Sequence, residues 1–294
     1  LKSERMMYMP ESCIKEESFK DNQAIKSISF PKDSKLCIIE RNAFINSSLQ
    51  SLSIPSSVQY LIDGWCNDTP NLINVYLSSE NKHYKYLDED QKVIIGKSKI
   101  DENESKSEFE FEFDEIVFCS RDIEKVYIPS FIRRIGCYSF SKCVNLSTVN
   151  ISVEANIKEI SAESFSNTKI VKFTLPSSVE VICAKSFAWC DNLRTIEIDE
   201  NSALQKIDEY AFAYSSWKEF QFQKMSANAD EELFLLALRC SRSNSLARNC
   251  SLKVFALITV KASHLPLSPI HATFILPVTP LLQYLLTLFF FFVM

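Results

Sequence analysis

Residues 175–198 read LPSSVEVICAKSFAWCDNLRTIEI, and the pattern of this stretch recurs along the chain. Its opening returns as Ile-Pro-Ser-Ser-Val at 54–58 and as Ile-Pro-Ser-Phe-Ile at 128–132. Counting forward from Pro129 and from Pro176 gives apolar residues at matching offsets, namely Ile135, Phe140, Leu146, Val149 and Ile151 in the first unit and Ile182, Phe187, Leu193, Ile196 and Ile198 in the second. Self-similarity at a fixed period indicates a repeat architecture.

Units of 23 and 24 residues alternate along the chain. Seven units can be counted, over residues 8–30, 31–54, 55–77, 129–151, 152–175, 176–198 and 199–222. In the unit at 55–77, Cys66 replaces the Phe found at the centre of the other units. The regularity of these offsets predicts that every unit folds in the same way and packs on its neighbours.

Each unit ends in a period-two pattern, such as Leu193-Arg194-Thr195-Ile196-Glu197-Ile198. Such alternation predicts a short strand with one buried face. The segment before it, Ala184 to Cys190, predicts a short helix or turn. Because one unit cannot bury its apolar face alone, we expect stacked units to share a continuous core of Phe, Leu and Ile.

The Pro-Ser-Ser-Val opening and the segment Ala184 to Ile198 resemble the BspA-like leucine-rich-repeat family, over roughly residues 8–222 with one interruption. The resemblance implies a right-handed leucine-rich-repeat solenoid with a short strand and a short helix or turn in each repeat of 23–24 residues. It also implies the binding role, without chemistry, of surface antigens and adhesins from bacteria and protists.

Residues 78–128 interrupt the repeat. Tyr84 to Asp90 and Val93 to Ile95 predict a small hairpin, and the alternating Glu108 to Phe113 predicts an edge strand whose charges discourage unwanted pairing. Val117, Ile123, Val126 and Ile128 return to the repeat offsets and predict a degenerate unit. We therefore divide the chain into N-terminal repeats (8–77), an insertion with a degenerate repeat (78–128), C-terminal repeats (129–222) and a non-repeat tail (223–294).

The tail ends in an uncharged segment, 274–294, which is long enough to cross a bilayer. Pro277 and Pro280 weaken the prediction of a spanning helix, and a hydrophobic C-terminal tail is also part of a lipid-anchor signal. Basic residues precede this segment and none follows it, which for a spanning helix would leave the repeats in the cytoplasm. Membrane association through 274–294 and a non-native or poorly ordered tail remain the alternatives.

The composition contains few groups for catalysis. The three histidines, His83, His264 and His271, form no metal-binding motif, and Gly96-Lys97-Ser98 lacks the earlier Gly of a phosphate loop. A formal net charge of −5 and a pI near 5.4 disfavour nucleic-acid binding. We therefore expect no catalysis, cofactor or metal. The ten cysteines are expected mainly as buried thiols between stacked units, with Cys143 and Cys190 at one repeat offset and disulfides as the alternative.

Residues between the buried positions of each strand point to the opposite face, because side chains alternate across a sheet. We predict that these residues form one lateral surface that binds a ligand. The candidates are Asn74, Tyr76, Lys125, Tyr127, Thr148, Asn150, Lys172, Thr174, Thr195 and Glu197. Tyr76 and Tyr127 are the expected aromatic anchors, and soluble strand faces without a ligand are the alternative interpretation.

The functional hypothesis is a non-catalytic binding protein, a surface antigen or adhesin that recognises a protein or glycan through this lateral face. The alternative is an intracellular scaffold for protein–protein interaction. Six Asn-x-Ser/Thr sequons, including those at Asn145 and Asn150, give mild support to secretion. We accordingly expect a location at the cell surface or membrane, with the cytoplasm as the alternative.

Overall fold

The computed structural model describes residues 12–97, 113–199, 201–216 and 219–223. These residues form a β-solenoid of eight coils, and each coil contributes one strand to each of two rows. The short-strand row contains β1 (Cys13–Ile14), β3 (Ile38–Ile39), β5 (Tyr60–Leu61), β9 (Glu115–Cys119), β11 (Arg134–Ile135), β13 (Glu159–Ile160), β15 (Val181–Ile182) and β17 (Lys206–Ile207). The lateral row contains β2 (Ser27–Ile28), β4 (Ser51–Ile54), β6 (Asn74–Leu77), β10 (Lys125–Ile128), β12 (Thr148–Ile151), β14 (Lys172–Leu175), β16 (Thr195–Asp199) and β18 (Glu219–Gln223).

The strands of the lateral row are those predicted from the period-two pattern. Within each sheet a residue pairs in parallel with the equivalent residue one coil away, as Phe173 does with Ile196, and both of these inward residues are buried. The row is divided into three sheets, β2-β4-β6, β10-β12 and β14-β16-β18. The short-strand row, which the sequence pattern did not predict, forms β1-β3-β5 and a seven-stranded sheet that begins at the interruption.

The segment predicted as a short helix or turn is a series of turns, and the described ranges contain no α-helix. In seven coils, one residue on each side of the central core residue adopts a left-handed φ value, and the two residues are four positions apart. The pairs are Glu17/Asp21, Asn42/Asn46, Gly64/Asp68, Tyr138/Lys142, Glu163/Asn167, Lys185/Trp189 and Tyr210/Tyr214. Left-handed residues cannot propagate a right-handed helix. Backbone N–H groups instead donate hydrogen bonds to carbonyl oxygens of the next coil. Phe165 N donates to Ser186 O at 2.9 Å, and Phe187 N donates to Ala211 O at 2.8 Å.

The core is a column of stacked aromatic rings. Phe140, Phe165, Phe187 and Phe212 stack in that order, with neighbouring centroids 4.9, 5.4 and 5.5 Å apart. Such burial of large apolar side chains between coils is the main source of stability in a solenoid. Where Cys66 replaces the Phe, the indole of Trp65 is buried between the rings of Phe44 and Phe118.

The interruption contains the expected hairpin, in which β7 (Tyr84–Tyr86) pairs antiparallel with β8 (Val93–Gly96), and β8 pairs antiparallel with β9. Val117, which the sequence pattern placed at a repeat offset, is half-buried. Its neighbours Ile116 and Phe118 are buried, and Ile116 pairs with Ile135 of the next coil. Of the predicted edge strand 108–113, all but Phe113 lies outside the described residues.

Two tyrosines of β7 cap the strand edges that the interruption leaves unpaired. The Tyr84 hydroxyl accepts a hydrogen bond from Leu61 N at 2.7 Å and donates to Gln59 O at 3.2 Å, at the edge of β5. The Tyr86 hydroxyl accepts from Leu77 N and donates to Val75 O, both at 2.8 Å, at the edge of β6. Each phenol therefore satisfies two backbone groups that a neighbouring strand would otherwise bind.

Arg121 bridges the same gap at the turns. Its guanidinium donates to Ser139 O at 3.0 Å in the following coil and to Cys66 O at 3.4 Å in the preceding one. We call the region where Tyr84, Tyr86 and Arg121 replace the missing backbone contacts the junction. It joins the N-terminal coils to the C-terminal coils through side chains as well as through the main chain.

Candidate functional site

The predicted lateral residues are distributed over three sheets. Asn74 and Tyr76 lie on β6, where they pair with Ser51 and Ser53 of β4. Both point outward, and Tyr76 is 55% exposed. The first sheet therefore presents hydroxyl and amide groups with one aromatic ring at its edge.

Four predicted residues lie on the second sheet. Lys125 pairs with Thr148, and Tyr127 pairs with Asn150. Lys125, Tyr127 and Asn150 are exposed, Thr148 is half-buried, and the exposed fraction of Tyr127 is 61%. This sheet combines one cationic, one aromatic and two small polar side chains on the same face.

The third sheet carries Lys172, Thr174, Thr195 and Glu197. Here Glu197 is engaged within the protein, because Lys172 Nζ lies 2.7 Å from its Oε1 and Thr174 Oγ1 donates to its Oε2 at 2.9 Å. Thr195 pairs with Lys172 across the sheet and is half-buried. Lys172, Thr174 and Glu197 therefore already bind one another.

Tyr76 and Tyr127 occupy the same position of successive coils, one on each side of the break between the first and second sheets. The two coils are adjacent, since Ser120 Oγ donates to Ile73 O at 2.6 Å. Tyr86 caps the edge of β6, and burial raises the pKa of its phenol. Sequence reasoning identified the two exposed tyrosines but missed Tyr86, whose only signal was an alternating Tyr-Lys-Tyr in the insertion.

A small cleft with several charged side chains lies against the short-strand row at the junction. Its volume is about 160 Å³, and its lining includes Tyr60, Asp63, Tyr84, Glu115 and Arg134. Burial also raises the pKa of Tyr84, to about 12.

Arg134 dominates the electrostatics of the cleft. Its guanidinium forms an ion pair with Glu115, another with Asp63 at 3.2 Å and a longer one with Glu159 at 3.7 Å. Burial opposes the charge of Arg134, but Glu115 and Asp63 outweigh it and raise the pKa of the guanidinium above its usual value. The carboxylates are thus bound to a permanent cation, an arrangement that joins coils across the junction.

Two further observations apply to the described ranges alone. No group of three or more His, Cys, Asp or Glu side chains within them is arranged to hold a metal ion. No helix within them is long and apolar enough to span a membrane. The uncharged segment 274–294 and almost all of the tail lie outside the described residues.

The strand rows, the repeated turns and the stacked aromatic core define a leucine-rich-repeat solenoid. The model of the BspA type leucine rich repeat region matches in six copies, over residues 7–87 and 112–237. These residues make up well over half of the chain, and the protein belongs to this family. Scaffolds of this family and fold typically bind proteins and are not typically catalytic.

Solved structures show the same fold at low sequence identity. A leucine-rich cell surface protein from Faecalibacterium prausnitzii is 17% identical, with a TM-score of 0.51 over 74% of this chain and 58% of that one. The pneumococcal vaccine antigen PcpA is 18% identical, with a TM-score of 0.51 over 72% of this chain and 54% of that one. The chain thus spans little more than half the length of these two proteins. A comparison with curated protein sequences gives no significant match.

Proposed function

We propose that the protein is a non-catalytic binding protein of the surface-antigen or adhesin type, which recognises a protein or a glycan through its lateral strand face. The observation that carries the proposal is the pair of exposed rings, Tyr76 and Tyr127, at the same position of adjacent coils. Exposed tyrosines offer a large contact area and a hydrogen-bonding hydroxyl, and tyrosine is enriched at the centres of interfaces.

The surroundings of the two rings favour a contact centred on the first two sheets. Asn74, Lys125 and Asn150 are exposed beside them and supply the polar rim that interfaces commonly have. The third sheet contributes less, because Lys172 and Thr174 are engaged with Glu197. We therefore place the strongest contribution to binding at the junction and the weakest at β14 and β16.

The test is a binding assay with the double variant Tyr76→Ser, Tyr127→Ser. Serine already occupies the equivalent outward position at Ser53, so we expect the variant to keep its melting temperature. The full chain would be screened against extracellular-matrix proteins and a glycan array, and the variant against each ligand found. We expect at least about a tenfold loss of affinity, since an anchor residue contributes roughly 2 kcal/mol.

The matched control is Tyr60→Ser, because Tyr60 is 50% exposed but lies on β5 of the short-strand row. It should leave binding unchanged. Equal loss of affinity in the control and the double variant, or full binding by the double variant, would reject the lateral face as the binding surface.

The alternative is an intracellular scaffold that binds protein partners through the same face. It is favoured by the thiols of Cys37, Cys66, Cys119, Cys137, Cys143, Cys183 and Cys190, which form no disulfide, as is usual in a reducing compartment. The surface proposal is compatible with the glycosylation sequons at Asn145 and Asn150, since both asparagines are exposed. It includes membrane association through residues 274–294.

Antibody against the repeats, applied to intact and permeabilised cells that express the full-length protein, separates the two locations. Labelling of intact cells and a glycosidase-sensitive mobility support the surface antigen. Labelling only after permeabilisation supports the scaffold and rejects the surface location.

A further inference from the structure

In seven coils, the residue two positions after the central core residue has a left-handed φ value. We call these residues the turn row, and they are Asp21, Asn46, Asp68, Lys142, Asn167, Trp189 and Tyr214. Four of the seven are Asn or Asp, which tolerate the left-handed conformation better than most residues with a side chain. The repeat therefore favours a small polar residue at this position.

Trp189 and Tyr214 depart from this preference. Both have a φ of +55°, a conformation that is unfavourable for a bulky side chain. Burial in the core does not offset the strain, since Trp189 is 41% exposed and Tyr214 is 68% exposed. Backbone strain that the packing of the fold does not require is commonly found at functional sites. The two residues are therefore candidates for a binding role.

The two rings stack on each other across consecutive coils. Their centroids are 5.4 Å apart and their planes differ by 13°. A backbone hydrogen bond between the turns fixes this arrangement, since Trp189 N donates to Ala213 O at 2.8 Å. One face of Tyr214 thus lies against Trp189. Because the residue is nevertheless 68% exposed, the opposite face of its ring is open to solvent.

The other side chains of these turns can form hydrogen bonds. Lys185 and Tyr210 occupy the first left-handed position of the same two turns. The side chain of Lys185 is 44% exposed beside its contact with Glu163, and Tyr210 is 37% exposed. A stable protein interface has a much larger apolar centre than one pair of rings. An open ring face with an ammonium and a hydroxyl in the same turns instead suits a small, flat ligand that carries hydroxyl groups.

We propose that Tyr214 and Trp189 form a carbohydrate-binding site, in which a pyranose ring stacks on the open face of Tyr214 and Trp189 holds that ring in position. In β-linked glucose, N-acetylglucosamine and galactose, at least one face of the pyranose consists of C–H groups, which pack against the negative face of an aromatic ring. Lys185 and Tyr210 bind the hydroxyl groups at the edge of the sugar. This site lies on the turns and is separate from the lateral strand face.

The experiment is saturation-transfer NMR on the full-length protein with three soluble probes, which are cellotetraose, chitotetraose and lactose. We expect transfer from the protein to at least one probe, and we expect it to be strongest at the C–H protons of one pyranose face. Methyl α-mannoside serves as the comparison sugar, because its axial hydroxyl interrupts a C–H face. It should show weaker transfer than the probe that binds.

Tyr214→Asn and Trp189→Asn test the two rings. Asparagine already occupies the turn row at Asn46 and Asn167, so both variants should keep or raise the melting temperature. We expect at least about a tenfold loss of affinity for the bound probe in Tyr214→Asn, and a smaller loss in Trp189→Asn. The double variant Tyr76→Ser, Tyr127→Ser and the control Tyr60→Ser should bind the probe as the unmodified protein does.

Three results would overturn the proposal. They are the absence of transfer to all three probes, transfer that is unchanged in Tyr214→Asn, and a lower melting temperature in both asparagine variants, which would mean that the stack serves stability. Loss of the probe in Tyr76→Ser, Tyr127→Ser, with binding retained in Tyr214→Asn, would assign the sugar to the lateral face instead. Failure of this site is thereby distinguished from failure of the proposed function.

Discussion

The capping of strand edges by phenols can be tested with Tyr84→Phe. The substitution removes one oxygen and leaves the ring in place, so that the N–H of Leu61 and the carbonyl of Gln59 both lose their partner. Because Leu61 is buried, its N–H cannot readily be compensated by water. We expect a loss of about 1–3 kcal/mol in the free energy of unfolding, the usual cost of a buried unsatisfied polar group.

The pKa of Tyr84 makes its contribution to stability depend on pH. Burial raises this pKa to about 12 from 10.0, although the hydrogen bond from Leu61 N lowers it, so the neutral phenol is favoured in the folded state. A shift of two units corresponds to about 2.7 kcal/mol. This contribution is fully present below pH 10 and is lost as the pH rises towards 12.

The assay is urea unfolding of the full chain at pH 7 and at intervals from pH 9 to 12, for the unmodified protein, Tyr84→Phe and Tyr86→Phe. Tyr86→Phe is the matched control, because its hydroxyl makes the same pair of backbone contacts in a half-buried setting. We expect it to lose less stability, about 0.5–1.5 kcal/mol. Equal losses in the two variants, or alkaline destabilisation that is unchanged in Tyr84→Phe, would refute the argument.

Three further variants test the packing. Phe187→Ala should cost about 3–5 kcal/mol in thermal or urea unfolding, because it opens a cavity between two stacked rings; a loss below 1 kcal/mol would mean that the column is not the core. Gly64→Ala should cost about 1–3 kcal/mol, since φ is +80° and the new Cβ would lie 3.1 Å from the ring of Tyr138; no change in melting temperature would contradict this contact. Glu197→Gln should change stability by less than about 1 kcal/mol, because the Lys172 partner is exposed; a larger effect would show that the third sheet depends on the pair.

The sequence predicted the lateral strands well because four or five residues are enough to display alternation, as in Thr195 to Asp199. It could not predict the short-strand row, because a two-residue strand such as Val181–Ile182 has no period to recognise. The turns were ambiguous for a different reason. Asn42, Asn46 and Asn167 mark left-handed positions with a tolerant residue type, but Trp189 and Tyr210 adopt the same conformation only because the coils impose it.

Alternation along each strand was enough to predict that the lateral candidates share an outward face. Which of them are free to contact a ligand depends on contacts between strands, which the sequence pattern does not show. The pairing of Glu197 with Lys172 depends on the register of two strands that are 23 residues apart. The role of Arg121 was also out of reach, because an isolated Arg between Ser120 and Asp122 looks like any surface residue. Only the fold shows that the side chain is buried between two coils.

The junction differs physically from the rest of the solenoid. Elsewhere, successive coils are joined by parallel backbone pairing, which most side-chain substitutions leave intact. At the junction, two phenols and one guanidinium replace part of that pairing, so its stability depends on individual side chains. The exposed tyrosines of the proposed binding face, Tyr76 and Tyr127, lie beside this region. Variation in three or four residues can therefore alter recognition and local stability here, while the aromatic column preserves the coils on either side.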